Sequence, residues 1–265
     1  MIEIDRIYNE DCLLGMQRIE DDTIDAIICD PPFGTTACAW DCVIPFEPMW
    51  EQFRRVVKPS APVVLFGSQP FTSFLIASNV QHFREELIWI KNKSASGFFT
   101  DKRHLKAHEN IAVFSYSSNY TFNPETWKTD ENYIIKRRTM TIAEETNNIA
   151  GLTISGRVRK EDNGNRQPIS LLPFKVPYSP KKESKTKNGD FRLHPTQKPV
   201  DLLRYLIRTY SNEGDTVLDA TIGSGTTMIA AIREKRHWIG FETNKEYFEI
   251  ASRRIADELR QPTLF

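Results

Sequence analysis

No stretch of the 265-residue chain approaches the ~18 consecutive apolar residues that a membrane span needs. The opening MIEIDRIYNEDC also lacks the basic-then-apolar layout of a signal peptide, so a cytoplasmic protein with no membrane partner is expected. Cysteine is scarce. Cys12, Cys29, Cys38 and Cys42 are too few for a disulfide scaffold, and no CxxC or Cys/His cluster has zinc-ligand spacing, so reduced thiols and no metal site are expected. Net charge is missing too, with 35 Lys+Arg against 35 Asp+Glu. That balance excludes a uniformly basic polyanion binder but hides an asymmetry: residues 117–193 carry 14 Lys+Arg against 9 Asp+Glu, and the remainder 21 against 26. A basic segment on an acidic body confines phosphate contacts to one face, although a solvated basic loop has the same composition.

What is present is an alternation. IDAIICD (24–30), APVVLFGS (61–68), ELIWIKN (86–92) and HENIAVFSY (108–116) are apolar runs of strand type, with amphipathic stretches such as PFEPMWEQFRRVVK (45–58) between them. This rhythm predicts strands crossing to helices in a parallel sheet. It stops from about Ser117 to Arg192, where the text is polar and irregular, and it resumes with a helix over about 199–211. DTVLDA (215–220), MIAAIREK (228–235), HWIGFETN (237–244) and KEYFEIASRRIADELR then predict strand, helix, strand and helix. The expected organisation is 1–116 and 194–265 as two halves of one α/β domain, with 117–193 inserted. Trp40, Trp50, Trp89 and Trp238 are expected in or near the core.

Two motifs carry chemistry. The first is a strand ending at Asp219, a turn through Ile222-Gly223-Ser224-Gly225-Thr226-Thr227, a helix, and a second strand ending at Glu242. Such a unit binds an adenosine-containing cofactor at the carboxyl edge of a sheet, with the second acid on the ribose. A dinucleotide fingerprint would place a third glycine where Met228 stands, and a phosphate loop would place lysine where Thr226 follows Gly225. Both phosphate readings weaken, whereas S-adenosylmethionine, which has a sulfonium and a zwitterionic end but no phosphate, suits a polar turn.

The second motif is Asp30-Pro31-Pro32-Phe33, directly after the strand IDAIIC. Consecutive prolines stiffen the turn and remove two donors, which leaves carbonyl oxygens free to accept. An exocyclic base amine needs such acceptors, because its lone pair is delocalised into the ring. Hydrogen bonds to the Asp30 carboxylate and the Pro31 carbonyl draw the nitrogen toward the geometry that attacks a methyl group. Phe33 offers a stacking face for a base flipped out of a duplex. Taken singly, each motif also has the plainer reading of a tight or rigid turn.

With both motifs in this order, the sequence resembles the β-group of DNA amino-methyltransferases, in which the DPP(Y/F) motif precedes the cofactor motif. The matching strings are NEDCLLGM, ICDPPFG, VVLFGSQPF, HPTQKPVDLLRYLI, LDATIGSGTT and WIGFETN. The resemblance implies a Rossmann-like, circularly permuted, S-adenosylmethionine-dependent methyltransferase fold with an irregular inserted target-recognition region. It implies a catalytic pocket of Asp30, Pro31, Pro32 and Phe33. Gly223, Ser224, Gly225 and Thr226 would hold the methionine end of the cofactor, beside Asp219, Ile222 and Thr227, and Glu242 the ribose. Asp11 and Cys12 would contact the adenine, and His194, Thr196, Gln197 and Lys198 would close over the amino-acid end. Phe33, Ala220 and Ile222 depart from the commoner Tyr, Pro and Phe of the family, and none of the three removes a needed interaction. Asp rather than Ser before Pro-Pro favours adenine N6 over cytosine N4.

Double-stranded DNA is the implied partner, and the family also brings dimers and cognate restriction enzymes. Arg137, Arg138, Arg157, Arg159, Lys181 and Lys182 in the insertion are expected at phosphates or guanine edges. Lys102, Arg103, His104 and His108 are expected along the DNA cleft. A C5-cytosine mechanism would need a nucleophilic cysteine after proline, and no Pro-Cys dipeptide occurs. Methylation of RNA or of a protein glutamine, and a silent nucleic-acid-binding protein of the same fold, are the readings that remain beside the main one.

Overall fold

The computed structural model describes residues 2–34, 41–94, 102, 104–128, 165–177 and 197–260. The apolar runs become strands with helices between them: β1 (Arg6–Tyr8), α1 (Cys12–Met16), β2 (Ala26–Cys29), α2 (Phe46–Val56), β3 (Pro62–Gly67), α3 (Phe71–Ser78), β4 (Phe83–Ile90) and β5 (His108–Ser115). After β6 (Trp127–Lys128), β7 (Asn165–Arg166) and β8 (Leu171–Pro173) come α4 (Val200–Tyr210), β9 (Thr216–Asp219), α5 (Thr226–Arg233), β10 (His237–Phe241) and α6 (Lys245–Arg260). None of the described helices is long and apolar enough to cross a membrane.

One eight-stranded sheet has the order β1-β10-β9-β2-β3-β5-β4-β8. All pairings are parallel except those of β5, which runs antiparallel to both β3 and β4. The parallel sheet expected from the sequence is thus interrupted by one reversed strand. Apolar periodicity marks a strand without fixing its direction, which only its neighbours settle. Leu171–Pro173 lies in the stretch expected to be an irregular insertion, yet it extends the sheet beside β4, with Ile88 opposite Leu171. Three residues with one buried side chain leave too short a pattern to read.

Two compact units are distinguished, one of residues 1–123 and 170–265 holding this sheet, the other of residues 124–169 with the antiparallel pair β6 and β7.

Period-two alternation divides the core between the faces of the sheet. Ile28, Val64, Phe66, Ile111, Val113 and Val217 pack with Leu203, Leu206 and Ile207 of α4 and Met228 and Ile229 of α5. Ile27, Cys29, Val63, Leu65, Phe114 and Leu218 pack with Met16 of α1, Met49, Trp50 and Phe53 of α2 and Leu75 of α3. Trp50, Trp89 and Trp238 are buried, and Trp40 lies outside the described residues.

The second face depends on one close approach. A Cβ at Gly15 of α1 would lie 2.2 Å from the ring of Phe241, which is fully buried at the end of β10. Overpacking of this kind costs about 1–3 kcal/mol, even against the helix propensity an alanine adds. A Gly15→Ala chain is therefore expected to show a lower urea midpoint at unchanged slope, and an unchanged midpoint would mean that the Phe241 ring gives way freely.

Candidate active site

β2 and β9 are parallel neighbours, with Ala26 opposite Val217 and Ile27 opposite Leu218. From β9 the chain passes through α5 to β10 on one side, and from β2 through α2 to β3 on the other. A crevice forms where strand order diverges in this way, outside the carboxyl ends of the strands. Asp30 leaves β2 and Asp219 ends β9 at that edge, so residues 189 positions apart open on the same space. The resulting cavity, about 340 Å³, is lined by Asp11, Cys12, Asp30, Pro31, Pro32 and Phe33 from the first third of the chain. From the last third it takes Gln197, Lys198, Asp219, Ile222, Gly223, Ser224, Thr226, Thr227 and Glu242. His194 and Thr196 lie outside the described residues.

The glycine turn is built for close approach. Gly223 has φ +52°, and a Cβ there would meet nothing within 4 Å. Gly225, at φ +77°, does not line the cavity; its bare Cα lets α5 start against α6, where a Cβ would come within 3.0 Å of the Ala251 methyl. The half-buried Glu242 carboxylate accepts from the backbone amides of Gly223 (2.9 Å) and Asn244 (2.7 Å), which ties the turn to the end of β10. Burial raises its pKa, partly offset by those amides. Burial raises Asp219 further, to about 6, against hydrogen bonds from the Thr227 hydroxyl and the Thr221 amide. At the opposite wall, Asp11 caps α1 by accepting from the amides of Leu13 (2.8 Å) and Leu14 (3.3 Å). Burial pushes the Cys12 thiol up to about 12, so it is a neutral packing group at neutral pH.

Asp30 is held from both ends. The Thr221 hydroxyl donates to its backbone carbonyl at 2.9 Å, linking the two motifs directly. One side-chain oxygen, Oδ2, pairs with the ammonium of Lys198, which is 5% exposed. The other, Oδ1, is buried and has no hydrogen-bond partner among the described residues. Burial raises the Asp30 pKa and outweighs the lowering by Lys198. Burial would lower Lys198, but the carboxylates of Asp30 and Glu109 together hold it above the ordinary lysine value. Lys198 thus lines the cavity while its ammonium sits on the Asp30 carboxylate. Phe33 packs on Phe71, ring centroids 5.1 Å apart, which fixes one face of its ring.

Of the basic residues expected along a DNA cleft, Lys102, His104 and His108 are exposed and line no part of the cavity. Arg103, Arg137, Arg138, Arg157, Arg159, Lys181 and Lys182 lie outside the described residues. Sequence reasoning missed Thr221, Glu109 and Arg254. The Arg254 guanidinium, on α6, donates to the Ser224 carbonyl (2.5 Å) and to the Thr226 hydroxyl (3.2 Å), bracing the glycine turn from outside. Glu109 carried the one available signal, a carboxylate inside an apolar strand.

A family model described as DNA methylase matches residues 24–253. Among curated proteins, the type II methyltransferase M.HpaI of Haemophilus parainfluenzae is 26% identical, over 96% of this chain and 74% of its own length. The type II methyltransferase M1.MboII of Moraxella bovis is 26% identical, over 95% and 96%. Among solved structures, M1.HpyAVI in complex with SAM shares 24% identity at a TM-score of 0.58, covering 94% of this chain and 98% of that one. The cytosine-N4-specific PvuII DNA methyltransferase shares 17% at a TM-score of 0.61, covering 95% and 90%. These two share the fold.

The Asp219 carboxyl makes the site's cost measurable. Its folded pKa of about 6 exceeds the ordinary 3.8, so its contribution to stability is full below 3.8 and is lost as pH rises through 6. The difference is worth about 3 kcal/mol. Urea unfolding of the ligand-free chain and of Asp219→Asn should show the wild type losing stability relative to the variant, by up to about 3 kcal/mol, between about pH 4 and pH 7. Parallel pH dependences would mean that Asp219 is ordinary.

Proposed function

The chain belongs to the N6/N4 DNA methylase family, and from that membership we propose that it transfers a methyl group from S-adenosylmethionine to N6 of adenine within a specific site of double-stranded DNA. The observation that carries the cofactor reading is electrostatic. The described cavity wall holds five carboxylates, of Asp11, Asp30, Asp41, Asp219 and Glu242, and one cation, Lys198, which pairs with Asp30. A phosphate-bearing ligand would be repelled there, while a ligand with an ammonium and a sulfonium is attracted. The open space over Gly223 and the cavity's volume suit a nucleoside-sized group at the turn.

In this reading Glu242, steadied by its bonds from the Gly223 and Asn244 amides, takes the ribose hydroxyls. Asp11, Cys12 and Phe241 surround the adenine. Ile222, Ser224, Thr226 and Gln197 meet the amino-acid end, near Asp219 and Thr227. S-adenosylmethionine, when bound, supplies a methyl group made electrophilic by its sulfonium.

The chain's own residues prepare the nucleophile. Asp30 Oδ1 accepts one hydrogen of the exocyclic amine and the Pro31 carbonyl accepts the other, drawing the nitrogen out of conjugation with the ring. The raised pKa of Asp30 makes it a stronger acceptor than a solvated aspartate, and it takes the proton that the nitrogen loses. Phe33, backed by Phe71, offers its ring to the flipped base, whose stacking repays part of the cost of leaving the duplex. Aspartate rather than serine before Pro-Pro supports adenine over cytosine. Residues 117–193, with Arg137, Arg138, Arg157, Arg159, Lys181 and Lys182, are the proposed source of sequence choice.

Plasmid DNA from a methylation-deficient host expressing the chain should carry N6-methyladenine at one short motif, detected by sequencing of modified bases. The Asp30→Ala chain should lose it by at least about 100-fold. N4-methylcytosine at a motif would move the target to cytosine and keep the rest. Unmodified DNA from soluble protein that binds S-adenosylmethionine would overturn DNA as the substrate and bring RNA or protein amines forward.

A further inference from the structure

From Asp30 a row of charges leads off the cavity wall through Lys198. Glu109 lies on β5 opposite Trp89 of β4, its side chain 16% exposed and off the cavity wall. It forms an ion pair with Lys91 on one side and stands 3.4 Å from Lys198 Nζ on the other. Lys198 is therefore shared between Asp30 and Glu109, its ammonium also 5.0 Å from the centre of the Phe66 ring. We propose that Glu109 is a positioning residue for methyl transfer, acting through Lys198 to keep Asp30 a strong hydrogen-bond acceptor for the substrate amine. The catalytic part of this inference rests on the amine-methylating reading above.

Two carboxylates and two ammoniums alternate in the order Asp30, Lys198, Glu109, Lys91, so the row buries no net charge. An unshared Lys198 would neutralise Asp30 alone and weaken it as an acceptor, because a nearby cation stabilises the carboxylate and lowers its basicity. A second carboxylate on the same ammonium divides that effect. The other groups facing Asp30 set the background. Lys91 acts on it as a more distant cation, Asp219 is the neighbouring acid across the strand edge, and Lys106, bonded to Ser68, faces Glu109. Glu109 itself titrates below the ordinary carboxylate range, since its burial is outweighed by Lys198 and Lys91, so it remains an anion throughout the working pH range. Lys198, already an ammonium, cannot take the substrate's proton, and its role is electrostatic.

A merely structural ion pair predicts loss of stability in a Glu109 variant and nothing more. The positioning role predicts opposite displacements of Asp30. In a carbon-13 carboxyl titration by NMR, with Asp30 assigned through Asp30→Asn, the Asp30 midpoint should fall by about one pH unit in Glu109→Gln and rise in Lys91→Met. Turnover of Glu109→Gln should fall at least about tenfold, with its acid limb moved the same way and KM for S-adenosylmethionine within about twofold. Glu109→Asp should restore part of it. An Asp30 midpoint unmoved in both Glu109→Gln and Lys91→Met overturns the coupling, and an unchanged turnover in Glu109→Gln overturns its catalytic use. The titration needs no substrate, so a moved midpoint in a wild-type chain that methylates nothing upholds the coupling and overturns the reading of the site instead.

Discussion

Burying carboxylates where a parallel sheet divides is the constraint on which the rest of this molecule depends. β2 and β9 lie side by side; Asp30 directly follows the first with one carboxylate oxygen buried, and the buried Asp219 ends the second. A buried carboxylate is costly unless it finds hydrogen bonds or a counter-charge, or takes up a proton. The chain uses all three. Asp219 receives the Thr221 amide and Thr227 hydroxyl and still titrates near 6, Asp30 takes Lys198, and Glu242 takes two backbone amides. The local structure at the edge follows from these needs. The glycine turn aims its amide at Glu242, and Thr221 ties that turn to the Asp-Pro-Pro-Phe turn through the Asp30 carbonyl.

The same constraint explains the choice of ligand and the chemistry together. Five carboxylates around one cavity raise its negative potential, which favours a cationic cofactor and disfavours phosphate. No donor among the described residues reaches Asp30 Oδ1, so that oxygen keeps its capacity to accept. Prolines at 31 and 32 contribute by supplying carbonyls without amides. Lys198 is the exception on the wall: it lies on Oδ2 of the Asp30 carboxylate, backed by Glu109 and Lys91, and leaves Oδ1 without a hydrogen-bond partner among the described residues.

Much of this was legible beforehand because it rests on local pattern. Strand β2 with its Asp-Pro-Pro-Phe exit, and the β9-turn-α5-β10 unit ending at Glu242, are contiguous strings whose periodicity, glycines and prolines encode their conformation. The strand character of 108–115 was equally clear. Its reversed direction was not, nor was the addition of Leu171–Pro173 to the sheet, because strand pairing depends on partners far away in the chain.

By itself the sequence determined the longer elements, the two motifs, their order and hence the family, since each is written within a few consecutive residues. Tertiary structure alone decided that Asp30 and Asp219 face one space, that Thr221 joins their turns, and that Lys198 lies on Asp30 with Glu109 behind it. The physical reason is range. Helix and strand formation, turns and capping are set by neighbours a few bonds away, whereas the charge state of a buried acid is set by whatever the fold brings within a few ångströms, and here those partners come from Lys91 just after β4, from β5 and from the residues leading into α4.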